Sequence, residues 1–251
     1  MKFSIILPTW NRPERGVRAI KSVINQHYQD WELIVVNDAS TDETPKVLDE
    51  ISKTDKRIKI IHNKENKQRA ISRNIGMAEA KGEWICWLDS DDRYMAEYLK
   101  ACDRMIKRHP KYEIFNFQHY IIQPLETYLK PLFKPKRKKV GHVWFGAGGV
   151  GTGSFIFKRE LLDDPDMWIP NEMSPYKFAS ESKIPVRRPE PEAQGAFQDG
   201  KLRIGLSLGN PYGDDFCQFY YLTRKHHSKA VPMGLYLVYP RTSEEEYKGK
   251  I

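Results

Sequence analysis

Short apolar runs alternate with segments of helical period from the N-terminus to about residue 110, and this alternation limits the fold more than any other feature of the chain. Phe3 to Pro8 reads as a strand that should close at Pro8, which cannot donate to a sheet ladder. Pro13 suits the first turn of a helix carrying Val17, Ile20, Val23 and Ile24 on one face and ending around Gln26 to Gln29. Trp31 to Val36 is the second strand. Ser40 and Thr41 are good N-cap types for a helix over Thr44 to Thr54. Ile58 to His62 is the third strand, Asn66 to Ala80 a helix that Gly82 ends, and Trp84 to Leu88 a fourth strand with the apolar content of one buried on both faces. Met95 to Arg108 should form an amphipathic helix stopping before His109-Pro110, and Glu113 to Ile122 a further strand. Strand and helix in this order predict an α/β fold: a Rossmann-like, mostly parallel central sheet with helices on both faces.

In such sheets ligands bind beyond the carboxyl ends of the strands. Three of those ends carry polar loops: Asn11 and Arg12, Asn37 and Asp38, and the cluster Asp89-Ser90-Asp91-Asp92. Like charges this close repel, so a cation, a helix start or solvent must accommodate the three acids. Two readings follow: an Asp-x-Asp pair holding a divalent metal and through it a diphosphate, or Asp91 or Asp92 capping the helix near Met95. Arg69 and Arg73 lie four apart on their helix, either as a solvated basic face or as cations meeting phosphates.

The charge balance of 41 basic against 33 acidic residues, +8 in all, suits an anionic partner without naming it. Much of the excess is local, in Lys130 to Lys139 within a Pro-interrupted segment over 123–139 that reads as an exposed loop. No nucleic-acid-binding fold accompanies that run, so no nucleic-acid partner is expected, whereas residues 134–139 could touch an acidic surface peripherally. Cys86, Cys102 and Cys217 are too few and too scattered for a disulfide framework and read as buried thiols. The N-terminal run lacks the flank and length of a signal peptide, and no window reaches the ~20 apolar residues of a membrane span, so a soluble, cytoplasmic protein is expected.

The second half is less regular. Gly146 to Ser154 is dense in glycine but lacks the Lys-Ser/Thr ending of a phosphate-cradling loop and leads into a strand, Phe155 to Lys158, so it reads as a flexible turn or as a close backbone approach to a ligand. Residues 165–200 are Pro-rich and variable in character, and Asp199-Gly200 is a hairpin signal before 201–208. Asp214-Asp215 opens a helical stretch, where an acidic pair often serves only as a cap. Leu235 to Tyr239 reads as the last core strand, and His226 and His227 fall where a helix end is expected.

Four motifs stand in order: Ile5-Ile6-Leu7-Pro8-Thr9-Trp10-Asn11-Arg12, Glu32 to Asp42 with Val35-Val36-Asn37-Asp38 at its centre, Ala70-Ile71-Ser72-Arg73-Asn74-Ile75-Gly76, and Leu88-Asp89-Ser90-Asp91-Asp92. Together they resemble the signature of family 2 glycosyltransferases with the GT-A fold, strongly over residues 1 to about 110. The resemblance implies a single GT-A domain over 1–251, with a donor half (1–110) and an acceptor and catalytic-base half (111–251). It implies an inverting, metal-dependent transfer from a nucleoside-diphosphate sugar, expected to be UDP-linked, to a hydroxyl of a glycan, lipid or other acceptor. The implied donor contacts are Pro8, Thr9, Asn11, Arg12, Asp38 on the base edge, Arg69, Arg73, Asp89 and Ser90. Asp91 and Asp89 would hold Mn2+ or Mg2+, and Gly151, Thr152 and Gly153 would lie on the acceptor side. Asp215, with Asp214 second, would be the catalytic base; the family's usual pair is Glu before Asp, and this chain has Asp before Asp. The family's metal-completing His after the last strand is missing, because Pro240-Arg241-Thr242-Ser243 follows Tyr239. Two rivals remain. A sugar-nucleotide nucleotidyltransferase would need a Gly-rich basic loop after its first strand, which is absent; a catalytically silent nucleotide- or glycan-binding module would keep the donor half alone.

Overall fold

The computed structural model describes residues 1–122, 138–140, 143–145, 155–163, 197–198, 201–202 and 228–238. The first part follows the expected alternation: β1 (Phe3–Thr9), α1 (Pro13–Ile24), β2 (Trp31–Asn37), α2 (Thr44–Ser52), β3 (Ile58–His62), α3 (Gln68–Ala78) and β4 (Trp84–Trp87). Then come β5 (Arg93–Tyr94), α4 (Tyr98–Arg108), β6 (Ile114–Ile122), β7 (Lys138–Val140), β8 (Val143–Phe145), β9 (Phe155–Lys158), a 3-10 turn (Arg159–Asp163), β10 (Phe197–Gln198), β11 (Lys201–Leu202) and β12 (Ser228–Val238).

The main sheet has the order β3-β2-β1-β4-β9-β6-β12-β5, with β8 on β6 and β7 on β8. Strands β3, β2, β1 and β4 are mutually parallel, and β6 and β12 run the same way, while β9 and β5 run against them. The period-2 alternation of β1 divides the core. Phe3, Ile5 and Leu7 pack with Ala19, Ile20 and Val23 of α1, Leu48 of α2 and Leu99, Cys102 and Ile106 of α4. Ile6 packs on the other face with Met77 of α3, Trp87, Phe157 and Leu161. Helices therefore cover both faces, as expected. Cys86 and Cys102 are buried free thiols, and burial pushes both thiols up, which keeps them protonated.

Several local expectations change. β1 does not stop at Pro8 but continues to Thr9, paired Pro8↔Val36 and Thr9↔Asn37 with β2. The reason is parity. Ile6 C=O faces β4, accepting the Leu88 N–H at 3.0 Å, and Thr9 C=O faces β2, accepting the Asp38 N–H at 2.9 Å. Pro8 thus turns its missing N–H towards β4, whose pairing with β1 has already ended at Ile6↔Trp87. Neither Asp91 nor Asp92 caps a helix: β5 intervenes and α4 begins only after Glu97. Ser40 and Thr41 do not cap α2, whose N-cap residue is Glu43; Ser40 Oγ instead accepts the Asn11 N–H at 2.9 Å. The expected 123–139 loop ends early, since Lys138 and Lys139 belong to β7. The strands flanking Asp199-Gly200 pair antiparallel, in line with the hairpin signal.

Gly82 has a different role from the expected helix stop. α3 ends at Ala78, and Gly82 passes under β1, its N–H donating to Ser4 Oγ at 2.7 Å. A Cβ there would lie 2.6 Å from Ser4 N and 2.7 Å from Phe3 C, backbone atoms that cannot yield without displacing the central strand. Gly82→Ala is expected to cost about 3 kcal/mol by overpacking, read as a lower denaturant midpoint; a wild-type midpoint would contradict this packing.

Candidate functional site

The parallel register brings the ends of β1, β2 and β3 level, with Thr9 opposite Asn37 and Asn37 opposite His62. The loops beyond them are tied together. Thr41 N–H donates to Asn11 Oδ1, Arg12 N–H to Thr44 Oγ1 and Asn63 N–H to Asn37 C=O, each at 2.9 Å. All the non-glycine residues with positive φ among the described residues lie in these loops and at the start of α3: Asn11 at 50°, Ala39 at 57° and Gln68 at 68°. Left-handed backbone costs an L-residue about 1–2 kcal/mol, and such strain gathers where a site demands a particular loop path.

Asp38 is buried, at 4% exposure, and held on one side. Its Oδ1 accepts the Asn63 side-chain N–H and the Lys67 backbone N–H, both at 2.8 Å, and Asn66 donates to its carbonyl at 3.2 Å. With Oδ1 engaged, Oδ2 carries no hydrogen bond among the described residues and keeps its acceptor capacity. Beneath this loop Asn37 Oδ1 accepts the Ser40 N–H at 3.2 Å, which fixes its amide so that Nδ2–H donates to His62 Nδ1 at 2.9 Å. His62 therefore carries its proton on Nε2, which faces Asp49 Oδ1 at 3.1 Å. Sequence reading missed Asn63 and His62; their position just at and after the end of β3 was the available signal.

The acid cluster meets two guanidinium groups. Arg73 of α3 is fully buried, lies 4.6 Å over the Trp87 ring and donates from Nη2 to Asp89 Oδ1 at 2.5 Å. A solvated basic face is thereby excluded for Arg73; Arg69, one turn earlier, is half-buried. Arg12 Nη1 lies 2.8 Å from Asp91 Oδ2 and donates to Ser90 Oγ at 3.2 Å. The repulsion of clustered carboxylates is thus met by arginines from α3 and from the β1–α1 loop. Thr9, by contrast, turns its buried hydroxyl towards Gly16 of α1. Trp10 is a large apolar side chain left 52% exposed on the rim.

Among the described residues no three His, Cys, Asp or Glu side chains are gathered as a ready-made metal site. Asp89 and Asp91 nonetheless fit Mn2+ or Mg2+ chemically: both present hard carboxylate oxygens, and Arg12 already seats a cation on Asp91. Asp214, Asp215, Gly151, Thr152, Gly153, His226 and His227 lie outside the described residues, as does Cys217.

The family model described as "Glycosyl transferase family 2" matches residues 4–164, a stretch that includes every strand end of this site. The chain belongs to glycosyl transferase family 2. An uncharacterized glycosyltransferase of Haemophilus influenzae is 38% identical over 107 residues, 42% of this chain and 43% of that protein. The GalNAc(5)-diNAcBac-PP-undecaprenol beta-1,3-glucosyltransferase of Campylobacter jejuni is 41% identical over 101 residues, 40% of this chain and 33% of that protein. Across such curated relatives the match takes in only 14% to 43% of their own length. Among solved structures, S. aureus TarS 1-349 in complex with UDP-GlcNAc is similar at a TM-score of 0.64 and 18% identity, over 97% of this chain and 60% of that one. A mannosyltransferase of Pyrobaculum calidifontis in complex with GDP-Man and Mn2+ is similar at 0.60 and 16% identity, over 98% and 59%. The family 2 chain thus has the α/β GT-A fold expected from its motifs.

Proposed function

We propose that this family 2 chain, a single GT-A domain, transfers a sugar from a UDP-sugar to a hydroxyl of a glycan, lipid or other acceptor, with inversion and with a divalent metal. The observation that carries this reading is the convergence of Asp38, Arg12, Asp89, Asp91 and Arg73 at one sheet edge, with two loops tied by hydrogen bonds between them. Asp38, an acceptor-only carboxylate held by Asn63 and Lys67, suits a base edge that offers an N–H, such as uracil at N3. Trp10, exposed after β1, offers an aromatic face to a base. The ribose and diphosphate then extend towards Asp89 and Asp91, with Ser90 and Arg69 on the same side of the reading.

The acceptor hydroxyl gives its proton to the Asp215 carboxylate as its oxygen attacks the anomeric carbon, and the bond from that carbon to the diphosphate oxygen breaks. Asp91 and Asp89 would hold Mn2+ or Mg2+, which would supply positive charge to the leaving diphosphate. Gly151, Thr152 and Gly153 line the acceptor side in this scheme. No helix among the described residues is long and apolar enough to cross a membrane; a lipid-linked acceptor would be met through peripheral contact, with the basic run 134–139 as one candidate.

Calorimetry with UDP-, GDP- and CMP-sugars, each with and without Mn2+, tests the reading. UDP-sugars are expected to bind at micromolar affinity and at least about tenfold more weakly without metal. Equal, metal-independent binding of all the nucleotides would sink the roles of Asp38, Asp89 and Asp91 together.

A further inference from the structure

The two arginine–carboxylate pairs of the acid cluster differ in what holds them. Arg73 is fully buried and packed over Trp87, so its pairing with Asp89 is part of the core. Arg12 and Asp91 keep 16% and 13% of their side-chain surface and sit on the rim, with the neutral Ser90 hydroxyl as the further side-chain partner of Arg12 among the described residues. The Arg12 backbone is anchored, its N–H on Thr44 Oγ1 at 2.9 Å and its C=O accepting the Gly16 N–H at 2.8 Å. An anchored backbone carrying a partly exposed guanidinium lets the head group change partner without moving the loop.

Resting on the metal-dependent reading above, we propose that Arg12 is a positioning residue that acts as the internal counter-ion of the metal carboxylate. It occupies Asp91 while the site is free of nucleotide and passes to the diphosphate when donor and metal arrive together. A guanidinium in direct contact with Asp91 neutralises it and covers lone pairs a metal needs, so a metal arriving alone must displace it. The donor diphosphate brings new anionic oxygens, for which a planar guanidinium is a good partner. Displacement then has a compensating contact, and metal and nucleotide bind with positive coupling. Arg73 is not placed to exchange in this way, because its guanidinium is fully buried and packed over Trp87. The device protects the acid cluster from self-repulsion without a resident ion and commits the metal to the loaded enzyme.

The test measures Mn2+ binding by calorimetry on the full chain, without nucleotide and with saturating UDP, for wild type, Arg12→Gln, Arg12→Lys and Ser90→Ala. Without nucleotide, Arg12→Gln is expected to bind Mn2+ about five- to tenfold more tightly than wild type, while Arg12→Lys stays within about twofold because it keeps the cation. Ser90→Ala, which loosens the hold on Arg12 and leaves its charge, should tighten Mn2+ by about twofold and decides the matter should Arg12→Gln not fold. With UDP bound the gain in Arg12→Gln should vanish. Unchanged or weaker nucleotide-free Mn2+ binding in Arg12→Gln, or in Ser90→Ala, overturns the proposal. Absence of Mn2+ binding by wild type even with UDP overturns instead the metal-dependent function on which it rests.

Discussion

Arg73→Met is expected to lower the stability of the fold by about 3 kcal/mol, a fall in Tm of about 8 °C for a chain of this size, and to abolish UDP-sugar binding. Arg73 is fully buried and bonded to Asp89, a carboxylate that keeps 19% of its surface. Removing the cation leaves Asp89 beside Asp91 and Asp92 with less opposing charge, and the methionine replaces the guanidinium contact with Trp87 by an apolar one. The first effect is unfavourable and large; the second roughly offsets the lost packing, so electrostatics decides the sign. The double variant with Asp89→Asn should be less destabilised than the sum of the single ones, because the stranded charge is then gone. Thermal melts of the four proteins of this cycle check it. Additive losses would mean that the pair does not act as a unit.

Asp215→Asn is expected to lower kcat by about a thousandfold while UDP-sugar binding is unchanged. The amide keeps the shape of the carboxylate but cannot accept the acceptor's proton, so only the chemical step suffers. In the proposed scheme donor affinity rests on Asp38, Asp89 and Arg73 instead, and supplies the internal control. Asp214→Asn should cost much less; the reverse order would move the base to Asp214, and full activity in both variants would remove the acidic pair from the mechanism. The same pair of assays separates an enzyme from a silent binding module, which would bind donor in every variant and turn over in none.

The element order was legible because periods of 2 and 3.6 are written locally. β1, β2, β3, β4, β6 and β9 fall within a residue or two of their expected bounds. The misreadings come from residues whose signal has two physical meanings. Gly82 was expected to stop a helix, yet it is glycine because β1 passes 2.6 Å from where its Cβ would be. Pro8 was expected to end a strand, yet the side it cannot donate to is the side its neighbour has left. Asp91 and Asp92 could have been caps until β5 appeared between them and α4. Asn63 and His62 were overlooked because a strand end is the one local mark they carry; the register of β3 against β2 sets His62 opposite Asn37, and the Asn63 amide reaches Asp38.

The alternation of strand and helix, the three polar strand ends and the family motifs they carry are legible along the chain, because side-chain period and turn chemistry act over a few residues. Which charges meet is set by the folded chain: Arg73 is a core residue bound to Asp89, Arg12 is a rim residue bound to Asp91, and Asn63 and the Lys67 N–H orient Asp38. Those pairings join residues from 16 to 79 positions apart. They depend on strand order, with β1 placed between β2 and β4, and strand order is fixed by how the two faces of the sheet bury their apolar residues.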